Sequence, residues 1–225
     1  MQAKAASGRD HRSLLAGVEK KLLERLASKL PAWVSPDMLT AAGFLGGIVV
    51  FAGYLLSHVN PGFLWLASLG LAIHWFGDSL DGTLARFRGR ERPRFGFLVD
   101  QAIDVPGNIL IMAGLGLSSY ARLDTALLAL AGYHALTIYS LVRHAVFLEH
   151  QISMAGFGPT EIRVILIAMN AGLYFQGARA GFLGFERFTW CDGILVAGFA
   201  AMVLIFVVGF IADARQLRDD RKDAA

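Results

Sequence analysis

Residues 78 to 104 read DSLDGTLARFRGRERPRFGFLVDQAID and place four aspartates between long apolar runs. Asp78 and Asp81 are three positions apart, and Asp100 and Asp104 are four apart, so in helices each pair projects from one face. Two such helices facing each other would bring the four acids together. Because repulsion and desolvation make that costly in a bilayer, the pattern predicts bound divalent cations, and Mg²⁺ or Mn²⁺ suits carboxylate ligands.

The chain has 225 residues, of which 55% are apolar, and a mean hydropathy of +0.51. These values predict an all-α integral membrane protein, because a hydrocarbon core of about 30 Å needs about 20 apolar residues per helix. Residues 13–30 repeat apolar positions at helical spacing among basic ones, which predicts an amphipathic helix on the membrane surface. A helix packed on the protein's own loops is the alternative. Six spans are predicted, near residues 36–57, 62–86, 95–118, 124–148, 160–178 and 189–213.

We expect three segments: residues 1–30 with the surface helix, a six-span domain over 31–213 and a charged tail over 214–225. Basic residues concentrate between alternate spans and at both ends of the chain. By the positive-inside rule, both termini and the acidic cluster face the cytoplasm, at the inner membrane. The net charge of +3 suits anionic headgroups or phosphates, and no nucleic-acid partner is expected. The single cysteine excludes an intrachain disulfide, and no cleavable signal peptide is predicted.

Small residues accompany the carboxylates. Gly82 and Ala85 follow the first pair, and Gly96 lies one turn before Asp100, which leaves room for a flat or bulky ligand. Acids that hold two metal ions beside such a space, with arginines close by, suit phosphoryl transfer. A fourth carboxylate could accept the proton of an attacking hydroxyl. His74, one turn before the cluster, is either a neighbour of the metal or a hydrogen-bonded structural histidine.

A second polar group lies between the fourth and fifth predicted spans, in SLVRHAVFLEHQISMAGFGPTEIR over residues 140–163. Arg143, Glu149, Glu161 and Arg163 lie at or near membrane level on the same side as the aspartates. Each alone is at least as well explained by an interfacial anchor or a structural ion pair. Together they are the best candidates for a second substrate subsite.

The aspartates and their neighbours form the pattern Asp78-x-x-Asp81-Gly82-x-x-Ala85-Arg86, then Gly96-x-x-x-Asp100-x-x-x-Asp104. All eight defining positions resemble the signature of the CDP-alcohol phosphotransferases, and the resemblance extends over the whole chain. It implies that the four aspartates ligate two Mg²⁺ or Mn²⁺ ions and that Asp104 is also the general base. It implies that Gly82, Ala85 and Gly96 make space for cytidine, that Arg86 meets the pyrophosphate, and that the enzyme is a homodimer.

The PDMLT segment over residues 36–40 resembles the Pro-Asn-x-x-Thr that opens the family's first span, which places Asp37 and Thr40 at the nucleotide. Asp37 replaces the usual Asn. The resemblance implies that an acceptor hydroxyl attacks a CDP-alcohol and expels CMP. The compact chain favours CDP-diacylglycerol as donor, with membrane lipids around it. GPTEIR, residues 158–163, resembles a segment of the choline and ethanolamine transferases and supports the alternative of CDP-choline or CDP-ethanolamine acting on diacylglycerol.

Two hypotheses from other classes remain open at this stage. An intramembrane prenyltransferase also uses acidic motifs and Mg²⁺, although its two motifs lie on well-separated helix pairs. A non-enzymatic ion-binding or transport protein would show metal flux without CMP release. Neither explains why Gly82, Ala85, Arg86 and Gly96 accompany the acids.

Overall fold

The computed structural model describes residues 16–147, 158–177 and 188–223, and every regular element in these ranges is a helix. An all-α chain is therefore confirmed for the described residues. Ser13 to Leu15, Glu149 and the last two residues of the predicted tail lie outside these ranges. The helices are α1 (Ala16–Lys29), α2 (Pro36–Leu56), α3 (Phe63–Phe87), α4 (Pro93–Leu117), α5 (Leu123–Phe147), α6 (Pro159–Gln176) and α7 (Trp190–Asp223).

Five helices are long and apolar enough to cross a membrane: α2, α3, α4, α5 and the part of α7 over Trp190–Arg218. The chain is thus a multi-pass membrane protein. The fifth predicted span, residues 160–178, coincides with α6, which has 18 residues and is not among the five helices long and apolar enough. Its polar residues Glu161, Arg163 and Asn170 lower its apolar character, and all three are buried against the protein. A six-span topology therefore remains a prediction.

Helices α2 and α3 approach each other so closely that glycine is required along their contact. A Cβ atom at Gly70 would lie 2.7 Å from the backbone nitrogen of Val50, and one at Gly53 would lie 2.6 Å from that of Ala67. A Cβ atom at Gly43 would lie 3.2 Å from the backbone nitrogen of Asp78. Small residues let helices in a membrane gain packing contacts over their whole length. This contact places the start of α2 beside the aspartates of α3.

Local signals explain where α2 and α4 begin. The backbone N–H of Met38 donates to the Ser35 side chain at 3.2 Å, which caps α2, and Pro36 occupies its first turn. The chain leaves α3 through Gly89, whose φ of 61° favours glycine, and Pro93 starts α4. Gly89 and Pro93 therefore separate α3 from α4, and the turn between them brings α4 back beside α3.

Arg88, at the end of α3, ties this turn to the segment between α1 and α2. Its guanidinium donates to the carbonyl oxygens of Leu30 at 3.2 Å and Pro31 at 2.8 Å, and also to that of Val34. One arginine thus satisfies carbonyls left over at the end of α1. Arg88 is one of the basic residues between α3 and α4, and its guanidinium is used in these contacts with the backbone.

Helix α1 has two apolar faces. Leu23 and Ala27 are buried in a cluster with Leu80 and Leu84 of α3, while Val18 is 72% exposed. The buried face supports the alternative in which the helix packs on the protein itself. The exposed apolar face is what a helix at a membrane surface needs. Its position at such a surface stays a prediction.

At the other end of the bundle, the fully buried Asp192 near the start of α7 joins α5 and α7. Its carboxylate accepts hydrogen bonds from the Thr125 hydroxyl at 2.5 Å, the Thr189 N–H at 2.8 Å and the Arg122 N–H at 2.8 Å. A buried carboxylate with several donors is well satisfied. Helix α7 continues to Asp223, so the predicted tail prolongs the last span as a helix.

Candidate active site

A small cleft between α2, α3 and α4 brings the predicted aspartates together. Three of the four line it, and the spacing of three and four residues within each helix turns them toward the same space as predicted. Phe44 and Ile103 make part of the wall apolar. The lining residues are Thr40, Gly43, Phe44, His74, Asp78, Asp100, Ile103 and Asp104.

Asp81, the fourth predicted aspartate, lies beside the cleft and is held by α2. Its side chain is buried, and its Oδ2 accepts a hydrogen bond of 2.5 Å from the hydroxyl of Thr40. Its Oδ1 contacts the backbone N–H of Gly82 on its own helix. Thr40, which the sequence assigned to the nucleotide, therefore lies at the cleft and fixes the orientation of Asp81.

Arg163 of α6 enters the site as the partner of Asp78. Its Nη2 donates to Asp78 Oδ2 at 2.6 Å, and the two side chains are only 9% and 22% exposed. Its Nη1 is buried and has no hydrogen-bond partner among the described residues. A buried guanidinium with a donor to spare, next to acids, is suited to bind a phosphate or carboxylate of a ligand.

The four carboxylates lie within electrostatic range of one another. Asp104 is repelled by Asp78, Asp81 and Asp100 and attracted by Arg163. Carboxylate oxygens gathered in this way are the hard donors that Mg²⁺ and Mn²⁺ prefer. The residues present therefore fit the predicted metals in number, charge and ligand type.

The described residues nevertheless contain no group of three or more His, Cys, Asp or Glu side chains already spaced as metal ligands. Asp78 is paired with Arg163, and Asp81 is engaged by Thr40. A metal ion at this cleft would compete with Arg163 for Asp78, whereas the Thr40 hydroxyl can stay bonded to Asp81, because a carboxylate has lone pairs for both partners.

The residues predicted to make space for the nucleotide lie where space exists. A Cβ at Gly96 would meet no atom within 4 Å, and one at Gly82 would meet only the guanidinium of Arg86, at 3.4 Å or more. Arg86 is exposed, and its Nη2 donates to the Thr83 hydroxyl at 3.1 Å on the same helix face. Ala85 is half-buried on α3. These four residues border open space next to the cleft.

Asp37, also predicted at the nucleotide, forms an exposed ion pair with Arg92. Arg92 in turn lies over the ring of Phe95, with its guanidinium carbon 4.5 Å from the ring centroid. The pair connects the first turn of α2 with the first turn of α4. The structure thus gives Asp37 a bond between helices, and a nucleotide contact there stays a prediction.

Of the four residues suggested for a second substrate subsite, Glu149 lies outside the described residues, and the structure brings Arg163 to the aspartates. Arg143 donates to Asp213 of α7 at 2.9 Å, and the Tyr139 hydroxyl donates to the same carboxylate at 2.5 Å. Glu161 accepts from the backbone N–H of Gly158 at 2.9 Å and so caps α6. The contact of Arg143 is a structural ion pair, which is one of the alternatives given above. The contact of Glu161 is a helix cap.

Two residues at the site go beyond the sequence motif. His74 lines the cleft, where its ring faces Gly47 of α2 and Gly107 of α4. Its Nδ1 is buried and has no hydrogen-bond partner in the described ranges. Tyr133 of α5 interacts electrostatically with Arg163, Asp78 and Asp104. No local pattern in the apolar α5 segment marks Tyr133, which explains why it was missed.

The model of the CDP-alcohol phosphatidyltransferase family matches residues 33–212, which include α2 to α6 and most of α7. The matched region contains every aspartate of the cleft and Arg163.

Three relatives have related names. Archaetidylinositol phosphate synthase of Pyrococcus horikoshii is 35% identical over 125 residues, which are 55% of this chain and 63% of that protein. Phosphatidylinositol phosphate synthase of Cutibacterium acnes is 33% identical over 88 residues, 39% of this chain and 40% of that protein. Archaetidylinositol phosphate synthase of Methanothermobacter thermautotrophicus is 34% identical over 190 residues, 84% of this chain and 87% of that protein. The match thus spans less than two thirds of the first two relatives.

Proposed function

The chain belongs to the CDP-alcohol phosphatidyltransferase family, and we propose that it transfers the phosphatidyl group of CDP-diacylglycerol to an inositol phosphate, with release of CMP. The observation that carries the proposal is the ion pair of Arg163 with Asp78 inside a cleft that three aspartates line. The carboxylates suit the diphosphate end of the reaction, and the buried guanidinium suits an acceptor that bears a phosphate. The names of the three relatives, which all contain inositol phosphate, support that acceptor.

The chain's own residues divide the work as follows. Gly82, Ala85 and Gly96 leave room for the cytidine, and Arg86, at the edge of the cleft, pairs with the diphosphate. Arg163 binds the phosphate of the acceptor and turns the acceptor hydroxyl toward the donor. Phe44 and Ile103 exclude water from this space, which strengthens each of these electrostatic contacts.

Asp104 accepts the proton of the acceptor hydroxyl. The hydroxyl oxygen then bonds to the phosphorus that carries the diacylglycerol, and the bond from that phosphorus to the oxygen bridging it to CMP breaks. The electron pair and the negative charge leave with CMP. Asp104 suits this role because it lines the cleft one helical turn from Asp100, so that it can reach a hydroxyl bound beside the other carboxylates.

Asp78, Asp81, Asp100 and Asp104 would hold two Mg²⁺ or Mn²⁺ ions, which is consistent with the metal use of the family. When bound, these ions supply positive charge for the non-bridging oxygens and for the leaving phosphate. Thr40 contributes by keeping Asp81 oriented toward the other carboxylates.

The alternative with CDP-choline or CDP-ethanolamine rested on GPTEIR. In the structure Pro159 begins α6, the Thr160 hydroxyl donates to Glu19, and Glu161 caps the helix. Helix initiation therefore explains these residues without a headgroup contact, and Arg163, the last residue of the segment, suits a phosphorylated acceptor. Membership of the family gives no support to a prenyltransferase or an ion transporter.

The orientation of the protein in the membrane is proposed from the distribution of its basic residues. Both termini and the cleft face the cytoplasm of the cell's inner membrane, because the basic residues flank this end of the bundle. The family resemblance supports a homodimer. Neither assignment is needed for the chemistry in the cleft.

The test is CMP release by the purified full chain in detergent with Mg²⁺ or Mn²⁺. CDP-diacylglycerol is offered with inositol phosphate, unphosphorylated inositol, glycerol phosphate or serine, and CDP-choline is offered with diacylglycerol. We expect CMP from CDP-diacylglycerol with inositol phosphate and none after chelation of the metal. CMP from CDP-choline with diacylglycerol, or from inositol in preference to its phosphate, would overturn the proposal.

A further inference from the structure

Glu19 of α1 receives hydrogen bonds from two other helices. Its Oε1 accepts from Trp75 Nε1 at 2.9 Å and from the Ser79 hydroxyl at 3.3 Å, both on α3. The same oxygen accepts from the Thr160 hydroxyl of α6 at 2.7 Å. One carboxylate oxygen thus joins three helices, and hydrogen bonds to an ionised acceptor are stronger than those between neutral groups.

This bridge lies next to the ion pair of the cleft. Ser79 follows Asp78 directly, and Thr160 precedes Arg163 by three residues, which is about one helical turn. Helices α3 and α6 are therefore connected twice within one turn. One connection is the ion pair of Arg163 with Asp78, and the other runs through Glu19.

The two connections differ in what a ligand does to them. A cation that ligates Asp78 and an anion that binds Arg163 each compete with the ion pair. The Glu19 bridge contains no group of the cleft, so neither ligand competes with it. Leu23 and Ala27 anchor α1 on α3 independently of Glu19, which gives the bridge a fixed base.

We propose that Glu19 is a positioning residue that holds the first turn of α6 on α3, so that Arg163 stays at the cleft when its ion pair with Asp78 opens. The inference deepens the proposed function and rests on it. In this arrangement α1 does not contact substrate and acts only through Thr160 and α6.

Three variants test the bridge. Glu19→Ala removes the acceptor, Glu19→Gln keeps one oxygen acceptor, and Thr160→Val removes the hydroxyl with little change in volume. Glu24→Ala is the matched control, because Glu24 is an exposed glutamate on the same helix.

We expect Glu19→Ala to raise the KM for inositol phosphate about tenfold, with kcat and the KM for CDP-diacylglycerol changed by less than about threefold. Thr160→Val should raise the same KM, and adding it to Glu19→Ala should have less than its full effect because both remove one bond. Glu19→Gln should restore most of the acceptor KM, and Glu24→Ala should match the wild type. An unchanged acceptor KM, or an equal loss in all constants without rescue by Gln, would overturn the proposal.

A second measurement does not depend on turnover. Hydrogen exchange of backbone amides in the full chain with Mg²⁺ present should be faster over residues 160–166 in Glu19→Ala than in the wild type, and unchanged over α2. If the wild type released no CMP, the proposed function would fail, and this exchange result would still decide whether Glu19 holds α6. Equal exchange over residues 160–166 in both proteins would overturn the positioning role.

Discussion

Arg163 and Asp78 form an ion pair across α3 and α6 in which both side chains are largely withdrawn from solvent. Breaking such a pair by removing one partner leaves an uncompensated buried charge. The Nη1 of Arg163 is buried and has no hydrogen-bond partner in the described part of the chain, so the guanidinium has binding capacity left. We infer that Nη1 of Arg163 donates to an anionic group of a ligand that enters the cleft.

Arg163→Ala should therefore raise the KM for inositol phosphate by about tenfold to a hundredfold and affect unphosphorylated inositol much less. Arg163→Lys should recover only part of the loss, because an ammonium lacks the planar two-pronged geometry of guanidinium. Arg122→Ala, which removes an exposed ion pair with Asp124 at the other end of the bundle, is the control. Steady-state CMP release at varied acceptor concentration measures the effect. The same KM change for both acceptors would show that Arg163 does not read the phosphate.

The sequence was enough to predict that the four aspartates lie close together, but it was not enough to predict which residues they contact. Asp78, Asp81, Asp100 and Asp104 share helix faces with local spacing, and the structure turns three of them into one cleft. The partner of Asp78 lies 85 positions away, and no local rule connects two residues at that separation. Glu19 was equally hidden, because a glutamate among lysines on an amphipathic helix predicts a solvated face.

At the scale of helices, the packing of α2 on α3 sets the geometry of the cleft. Gly46 and Gly70 let the two backbones touch, and the same contact brings Thr40 within 2.5 Å of Asp81. Between the helices, the Tyr54 hydroxyl donates to Asn170 of α6 at 2.9 Å, and Asn170 donates to Ser68 at 3.1 Å. Close backbones and one internal polar chain thus join α2, α3 and α6, where hydrocarbon offers no other partner.

Gly70→Ala should destabilise the protein, because its Cβ would lie 2.7 Å from the Val50 nitrogen and 2.9 Å from the Gly46 oxygen. Neither atom can move without shifting a helix, and overpacking of this kind costs about 1–3 kcal/mol. Gly198→Ala on α7 is the control, since no atom lies within 4 Å of its Cβ. Thermal unfolding in detergent should show a lower Tm for Gly70→Ala alone. Equal Tm values for the two variants would contradict the close contact.

Helix positions followed from the sequence better than helix ends. Helix α2 begins at Pro36, the first residue of the predicted span 36–57, and Ser35 caps it. The end of α7 was placed ten residues early because the charged tail after Asp213 predicts a solvated end, whereas Arg215 and Arg218 continue the helix. For α6, length and apolar pattern predicted a span, but the burial of Glu161, Arg163 and Asn170 depends on contacts that only the folded bundle provides.

For the molecule as a whole, the candidate site and the hydrogen bonds of Asp192 lie at opposite ends of the bundle. The four aspartates and Arg163 occupy one end, and Asp192 with Thr125 and Thr189 fastens the other. The cleft lies between the first half of α2, the second half of α3 and the first half of α4. Its cytoplasmic orientation and the homodimer stay predictions. Composition and hydropathy were sufficient for the class of protein, and the arrangement of α3, α4 and α6 around the cleft required the structure.

The most informative single experiment compares Asp104→Asn with the wild type for CMP release and for binding of CDP-diacylglycerol. If Asp104 takes the acceptor proton, CMP release should fall about a thousandfold. Binding of CDP-diacylglycerol, measured by calorimetric titration in detergent, should stay within about threefold of the wild type, because the other three aspartates and the nucleotide space remain. Asp124→Asn, at the opposite end of the bundle, should match the wild type in both measurements. Turnover of Asp104→Asn near the wild-type rate would contradict the assignment of catalysis to this cleft.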